Sequence, residues 1–283
     1  MPIDPKQALG FALPAVEASW DPDQVILYHL GVGAGDPPTD KNELEYTYEG
    51  NLKVLPSFGV IPVFKAITAI GAIPGLKFNP MMLLHGEQDL TIHKKIPTAA
   101  KISSVAKVLN IWDKGKAAVL DLEVESTDGK GEKLFTNVFS LFLRGEGGFG
   151  GERGPDKVFE APKREPDHVI ESKTTPNQAL LYRLSGDKNP LHADPGFAKM
   201  GGFDKPILHG LCSFGIACKA VVDAVCEGKV ERVARYQVRF AGVVFPGETL
   251  VTSMWKEGDK VFISASTKER STPVLSNSVI TLK

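Results

Sequence analysis

PILHGLCSFGIACKAVV, residues 206–222, is the strongest structural signal in the chain. Apolar residues recur there at helical spacing, and the pattern continues from Leu208 to Cys226 with few polar interruptions. Such a pattern predicts a helix that is buried on most of its surface. We therefore expect this helix to form the core around which neighbouring segments pack.

Strand-like segments follow the helix. Each is rich in β-branched residues, alternates in polarity and is bounded by Gly or Pro signals. They are VARYQVRFAGVV (233–244), ETLVTSMWKE (248–257), DKVFISASTKE (259–269) and VLSNSVITL (274–282). An antiparallel sheet wrapped on the helix is the predicted arrangement, which makes the fold class α+β.

The first half of the chain shows the same order of segments, which indicates an internal repeat. There YHLGVGAGDPP precedes a second helix-like stretch, KVLPSFGVIPVFKAI (53–67), and then strands with a TDGK turn at 127–130. Residues 144–166, rich in Gly, Pro and charge, are typical of a linker. We predict two copies of one unit, residues 1–150 and 151–283, each a long buried helix against a curved antiparallel sheet.

Composition excludes several classes of function. The chain has 283 residues, 42% hydrophobic and 24% charged, with a formal net charge of -1, so nucleic acid is not expected as its main partner. No apolar run approaches the roughly 18 residues of a membrane span, and the start MPIDPKQALGFALP lacks the features of a secretory signal. An intracellular protein is expected. His29, His85, His93 and His168 show no metal-ligand spacing, so no metal site is predicted.

A polar cluster stands out in LYRLSGDKNPLHADPGFA, residues 181–198, where Asp187, Asn189 and His192 fall within six positions. Pro190 lacks an N–H and disfavours helical backbone at the residue before it, which predicts a loop. A loop can aim Asp187 and His192 at one point, whereas residues five apart on a helix diverge by about 140°. They would supply two proton-transfer groups oriented by the amide. The alternative is a plain turn whose Asp and Asn bond local backbone.

Gly210 lies at the predicted start of the buried helix. A helix start carries N–H groups without partners, and a residue without a side chain lets a ligand oxygen approach them. His209 beside it is either part of a site or a core or capping group. An acid/base pair next to such a donor suits chemistry beside a carbonyl, where an enolate is stabilised while a proton moves at the α carbon.

The stretch from Tyr182 to Ala198 matches the motif Tyr-x-x-Ser-Gly-Asp-x-Asn-Pro-Leu-His of the MaoC-like (R)-specific enoyl-CoA hydratase 2 family. YEG, LPSFGVI, LLHGEQ, GGFGG, KPILHGLCSFG, VFPGETL and MWKEG also resemble stretches of that family, in the same order. The resemblance covers nearly the whole chain and is strongest to the hydratase 2 unit of peroxisomal multifunctional enzyme type 2. It implies a double hot-dog fold, an acyl-CoA thioester substrate, no separate cofactor, a homodimer, and a peroxisomal setting, or a cytoplasmic one in a bacterium.

The resemblance also implies site roles. Asp187 and His192 match the catalytic acid/base residues, Asn189 the supporting amide, and Gly210 the oxyanion-hole glycine whose N–H meets the thioester oxygen. The implied reaction is reversible hydration of trans-2-enoyl-CoA to (3R)-3-hydroxyacyl-CoA.

Supporting roles are expected for Glu49, Arg183 and His209. Glu49, in YTYEGN, lies where the family has an acidic residue. It either pairs with Arg183 to fix the catalytic loop or is a solvated surface residue.

The first copy departs from the motif. Alignment of GVGAGDPPTDK with LSGDKNPLH keeps Gly35 and Asp36 but puts Lys41 where the second copy has His192. We therefore expect the first copy to be catalytically degenerate and to shape the acyl pocket.

Two rival functions stay open at this point. One is an acyl-CoA thioesterase on the same architecture, and the other is an acyl-CoA-binding protein without activity. Replacing Asp187 or His192 separates them, because only a hydratase would lose water addition while it keeps its affinity.

Overall fold

The structure is a computed structural model that describes residues 3–155 and 158–283. The α-helices are α1 (Pro5–Ala8), α2 (Pro22–Gly31), α3 (Lys41–Thr47), α4 (Phe64–Ile67), α5 (Gln178–Tyr182), α6 (Pro195–Met200) and α7 (Gly210–Ala224). The strands are β1 (Val16–Trp20), β2 (Leu83–Ile92), β3 (Ala100–Asp113), β4 (Ala117–Asp128), β5 (Lys133–Arg144), β6 (His168–Lys173), β7 (Val233–Phe240), β8 (Thr249–Glu257), β9 (Lys260–Thr267) and β10 (Pro273–Leu282). Short 3-10 helices occur at Glu49–Asn51, Pro56–Val60, Ile70–Ala72, Pro80–Met82, Arg183–Ser185, Pro190–His192 and Val230–Arg232.

All ten strands form one antiparallel sheet in the order β1-β3-β4-β5-β2-β7-β10-β9-β8-β6. Read from its outer edge inward, the first half is β1-β3-β4-β5-β2 and the second is β6-β8-β9-β10-β7, which is the same topology. The halves meet where β2 pairs with β7, and Glu87 and Asp89 of β2 form ion pairs there with Arg239 and Arg235 of β7. The predicted antiparallel sheet is therefore confirmed, and its two halves repeat one strand order.

Helix α7 is the core of the second half, as predicted. Most of its side chains are buried, and Phe214 stacks on Tyr236 of β7 with ring centroids 4.1 Å apart. Helix α2 packs directly on α7 at Gly215, where a Cβ would lie 2.5 Å from Val32 and 2.6 Å from the Tyr28 hydroxyl. Only glycine allows so close an approach, which fixes the position of α2 on the core helix.

The prediction of a second long buried helix, over residues 53–67, is wrong. The segment forms the 3-10 helix Pro56–Val60 and the single turn α4 instead. Pro62 lies between the two pieces, where its missing N–H and its ring prevent a continuous helix. The Gly59 carbonyl accepts a hydrogen bond of 3.0 Å from the Asn137 amide, which satisfies a backbone group that a helix would have paired.

The predicted turn at residues 127–130 is confirmed as the connection between β4 and β5. The Asp128 carboxylate accepts the N–H groups of Lys130 and Glu132 at 2.9 and 3.0 Å, and the Asp128 N–H donates to the Glu132 carbonyl. Side chain and backbone of one aspartate therefore close the hairpin.

The predicted linker, of which residues 156 and 157 lie outside the described part, has no regular secondary structure where it is described. Gly148 and Gly150 of the linker, together with Gly115 of the β3–β4 turn, donate their N–H groups to the Asp113 carboxylate at 2.8 to 2.9 Å. These backbone hydrogen bonds lower the pKa of Asp113. The glycine-rich segment is thus a backbone nest around the protein's own anion.

Across residues 3–155 and 158–283, the helices are all too short or too polar to pass through a bilayer.

His29 is a fully buried histidine of α2 with both ring nitrogens engaged. Its Nδ1–H donates to the Tyr46 carbonyl at 2.7 Å, and its Nε2 accepts the Leu55 N–H at 3.1 Å. Burial lowers its pKa to about 4, so the ring is neutral in the folded protein at neutral pH. Protonation of Nε2 would remove the Leu55 hydrogen bond.

This arrangement predicts loss of stability in acid. The folded pKa of about 4 lies below the unfolded value of 6.5, so the unfolded chain binds more protons between these values. Stability is complete above pH 6.5 and is lost as pH falls toward 4, by about 3 kcal/mol for this group. Urea unfolding at several pH values should show this slope, reduced in His29→Phe. An equally steep slope in that variant would contradict the assignment.

Candidate active site

The polar cluster of residues 187–192 lies in a loop, as predicted from Pro190. Helix α5 ends at Tyr182, the 3-10 helix Arg183–Ser185 follows, and Gly186 reverses the chain with a φ of 140°. A side chain is rarely tolerated at this φ, so the glycine permits the turn. A second 3-10 turn, Pro190–His192, then carries the histidine into the protein.

Asp187 and Asn189 both bond local backbone. An Asp187 carboxylate oxygen accepts the Asn189 N–H at 3.0 Å, and the Asn189 side-chain oxygen accepts the Leu191 N–H at 3.0 Å. These are the local hydrogen bonds that the turn interpretation predicts. Asn189 caps the 3-10 turn that ends at His192, so it orients the imidazole through the backbone.

His192 is buried, with 8% of its surface exposed. Its Nδ1 lies 2.8 Å from the Ile207 carbonyl, which fixes the proton on Nδ1 and leaves the Nε2 lone pair free. Burial lowers the pKa of His192, while the nearby Asp187 carboxylate opposes the shift. The ring is therefore neutral at neutral pH and able to accept a proton.

His209 stacks on His192, with centroids 3.7 Å apart and planes inclined by 28°. Its Nε2 donates to the main-chain carbonyl of Asp187 at 3.2 Å. Burial and the adjacent His192 lower its pKa to about 2, so His209 does not carry charge at neutral pH. His209 is the N-cap residue of α7, but its side chain makes no capping hydrogen bond to that helix.

Gly210 is the first residue of α7 and is exposed. In the described chain, the N–H groups of Gly210 and Leu211 have no hydrogen-bond partner. They lie at the positive end of a 15-residue helix, where a developing negative charge is stabilised. A Cβ at Gly210 would lie 3.2 Å from two carbons of the Phe240 ring, so the glycine keeps this approach open.

Asp187, His192 and His209 offer ligand-type atoms that all lie within 4.8 Å of one another. Such a set of residue types also occurs at metal centres. His192 Nδ1 and His209 Nε2 are already engaged with backbone carbonyls, which leaves His192 Nε2 and His209 Nδ1 as the nitrogens that could bind a metal ion. Because the two rings are stacked, the lone pairs of these two nitrogens lie in nearly parallel planes. A metal ion bound to both of the remaining nitrogens, at about 2.0 to 2.1 Å from each, would require their lone pairs to converge on one point. The arrangement fits proton transfer better than metal binding.

Arg183 lies beside the site, where its guanidinium donates to the Lys188 carbonyl at 3.0 Å and braces the loop. Its charge also contributes to the lowered pKa values of His192 and His209.

The predicted pairing of Glu49 with Arg183 is wrong for the described chain. Glu49 is exposed in its 3-10 turn and forms no ion pair. Tyr46, just upstream, donates to Asp223 near the C-terminal end of α7, about 20 Å along the helix from Gly210. The alternative, a solvated surface residue, describes Glu49.

The first copy lacks a further element that the sequence comparison missed. Both copies contain Ser-Phe-Gly, at residues 57–59 and 213–215, but the second has His209-Gly210-Leu211-Cys212 before it and the first has Pro56. Pro56 begins the 3-10 helix and has no N–H to donate. The helix-start donor is therefore absent from the first copy along with the histidine.

A cavity of about 820 Å³ adjoins the loop at residues 184–186. Its lining comes mostly from the first half and combines an apolar part, Trp20, Leu27, Phe58, Ile61 and Phe64, with charged residues such as Glu17, Lys65 and Lys101. Phe58, Ile61 and Phe64 belong to the broken helix over residues 53–67, so this segment forms one wall of the cavity. A separate cavity of about 480 Å³ lies beside Phe240 and includes Lys114, Arg153 and Arg239.

Fold and site together define a hot-dog enzyme in which a carboxylate and two imidazoles lie at the start of a buried helix. The chain is 43% identical to Enoyl-CoA hydratase ChsH3 of Mycobacterium tuberculosis over 99% of this chain and 98% of that protein. It is 42% identical to the peroxisomal enoyl-CoA hydratase 2 of Arabidopsis thaliana over 96% of this chain and 93% of that protein.

The family models agree with these relatives. Residues 19–145 match the MFE-2 hydratase 2 N-terminal domain, and residues 157–278 match the MaoC like domain. The chain belongs to the MaoC-like enoyl-CoA hydratase 2 family.

Solved structures support the same conclusion for the fold. A MaoC-like dehydratase from Phytophthora capsici superposes with a TM-score of 0.90 at 34% identity, over 99% of this chain and 98% of that chain. A double hotdog protein of Mycobacterium tuberculosis, 12% identical, shares the fold with a TM-score of 0.59 over 98% of this chain and 97% of that chain. The predicted double hot-dog class is confirmed.

Proposed function

We propose that this chain hydrates trans-2-enoyl-CoA to (3R)-3-hydroxyacyl-CoA, as an enzyme of acyl-CoA β-oxidation. The observation that carries the proposal is the clustering of Asp187 and His192 with His209, the residue that directly precedes Gly210 at the start of α7. Enoyl-CoA hydratase relatives align over nearly the whole chain, which supports the same reaction.

The reaction requires a water molecule held by Asp187 and His192. As the water oxygen bonds to C3, the electrons of the C2–C3 double bond move onto the thioester oxygen and form an enolate. One member of the pair takes a proton from the water, and the pair delivers one proton to C2 on the same face as the enolate collapses. The pair ends in its starting state, and one water has been added.

Gly210 and the start of α7 stabilise the enolate. Their N–H groups need no reorganisation when charge develops on the thioester oxygen, and the helix dipole has the favourable sign. No step in this scheme uses a metal or a separate cofactor. The neutral state of His192 leaves its Nε2 able to bind the water.

In this proposal the two halves of the chain have different roles. The second half, residues 151–283, carries the acid/base pair and the oxyanion donor. The first half, residues 1–150, is catalytically degenerate and holds the acyl chain in the 820 Å³ cavity. The apolar lining and its contact with the catalytic loop support that assignment.

We also propose that the enzyme is a homodimer, on the basis of its family. The peroxisomal name of the Arabidopsis relative supports a peroxisomal setting in a eukaryotic cell, and the mycobacterial relative supports a cytoplasmic one in a bacterium.

Asp187→Asn and His192→Gln are expected to lose hydration by about 100-fold or more, because each removes a proton-transfer group. The measurement is loss of enoyl-thioester absorbance with chiral analysis of the product, in buffer that contains EDTA. Asp36→Asn, the matched change in the first copy, should retain full activity. Release of free CoA by the unsubstituted protein would indicate a thioesterase, and binding without any product would indicate a carrier.

Ile61→Trp is expected to fill part of the acyl cavity. Its kcat/KM should fall by about tenfold for a long-chain trans-2-enoyl-CoA and stay unchanged for crotonyl-CoA, since only the long chain reaches the cavity. Leu109→Trp adds the same group to the exposed surface of the first half and serves as the control. An equal loss for both substrates would refute the assignment of the cavity.

Light scattering tests the homodimer. The chain mass is 30.6 kDa, so a dimer should give about twice that value. A mass equal to one chain at assay concentration would contradict the proposal.

A further inference from the structure

His209 is the most constrained polar side chain near the proposed site. It is 1% exposed and lies between two aromatic rings, Tyr182 with centroids 4.9 Å apart and His192 with centroids 3.7 Å apart. One face of the His192 ring therefore packs against the His209 ring.

The protonation of His209 follows from its contacts. Its Nε2 donates to the Asp187 carbonyl at 3.2 Å, so the proton is on Nε2. Its Nδ1 is buried and, within the described ranges, has no hydrogen-bond partner. A buried polar atom without a partner destabilises the folded state, and an apolar ring at this position would avoid that cost.

One residue thus contacts both proposed acid/base groups. The N–H of His209 holds the main chain from which the Asp187 carboxylate projects, and its face holds the imidazole of His192. Because His209 is neutral, it can support His192 while that ring carries a proton, without repulsion between two cations.

On the basis of the proposed hydratase function, we infer that His209 is a positioning residue that sets the relative geometry of Asp187 and His192. Its two contacts are separable. The Nε2–H positions Asp187, and the ring excludes water from one face of His192. A displacement of about 1 Å between reacting groups can cost a factor of about 100 in rate, so both contacts should affect kcat.

The groups around His192 determine how its titration should respond. Asp187 and Arg183 face it from the loop, and His209 faces it from the start of α7. Only His209 can be replaced without changing the charge near His192. Removal of its ring admits water, which should bring the pKa of His192 back toward its ordinary value.

Two substitutions test the two contacts. His209→Phe keeps the ring and removes the N–H donor, and we expect kcat to fall by about 10-fold to 100-fold with the acidic limb of the pH profile unmoved. His209→Gln keeps an N–H donor and removes the ring, and we expect the acidic limb to move to higher pH. KM should change by less than about threefold in both, because neither contact involves the acyl chain.

His29→Phe is the matched control. His29 is equally buried and also bonds a backbone carbonyl through a ring nitrogen, but its hydrogen-bond partners are Tyr46 and Leu55 and not residues of the 187–192 loop. This variant should lose stability while it keeps kcat and the acidic limb. Unchanged kcat in His209→Phe, or an unmoved limb in His209→Gln, would overturn the inference.

An NMR titration of the His192 ring separates this inference from the function on which it rests. The pKa of His192 is read directly there, so His209→Gln should raise it even without turnover. An inactive unsubstituted protein would refute the hydratase function. An active one in which His209→Gln leaves the His192 pKa unchanged would refute only the role of His209.

Discussion

The rest of the structure depends on helix α7, which is buried along most of its length but is exposed at its first residue, Gly210. The helix must be apolar on nearly every side, because α2, the 3-10 helix Pro56–Val60 and the strands of the second half surround it. Its N-terminal N–H groups at Gly210 and Leu211 nevertheless lack partners in the described chain. The core therefore aims a positive helix end at a point where the catalytic loop brings a carboxylate and an imidazole.

The two copies of the unit show how one topology can serve two tasks. In the second copy a continuous helix begins at Gly210, whose N–H is the proposed oxyanion donor. In the first copy Pro56 and Pro62 interrupt the corresponding segment, and Phe58, Ile61 and Phe64 of that segment line the 820 Å³ cavity.

Much of this was visible in the sequence. Polarity alternation and β-branched content predicted β7 to β10 to within a few residues, and β9 shows the alternation of burial most clearly. Pro190 predicted the loop, and Asp187 with His192 followed from the need for two proton-transfer groups. The apolar content of residues 53–67 predicts a helix, but Pro62 interrupts it, because proline lacks the N–H and restricts the backbone whatever the hydrophobicity of its neighbours. The stacking of His209 on His192 joins residues 17 positions apart, and no local pattern reports a contact made by folding. Glu49 matched a family position by letter only, and its exposure follows from packing that the sequence does not display.

The pairing of β2 with β7 has a consequence for how the chain reaches its native state. Residues of β2 bond partners about 150 positions later, so the centre of the sheet cannot close until the second half is present. Until then β2 is an open strand edge that displays unpaired backbone groups, a known route to aggregation. Contacts of such long range also slow folding, because much of the chain must be ordered before they form. Two copies joined in one chain share a continuous sheet, but the edge of β2 stays exposed until the second copy has been synthesised.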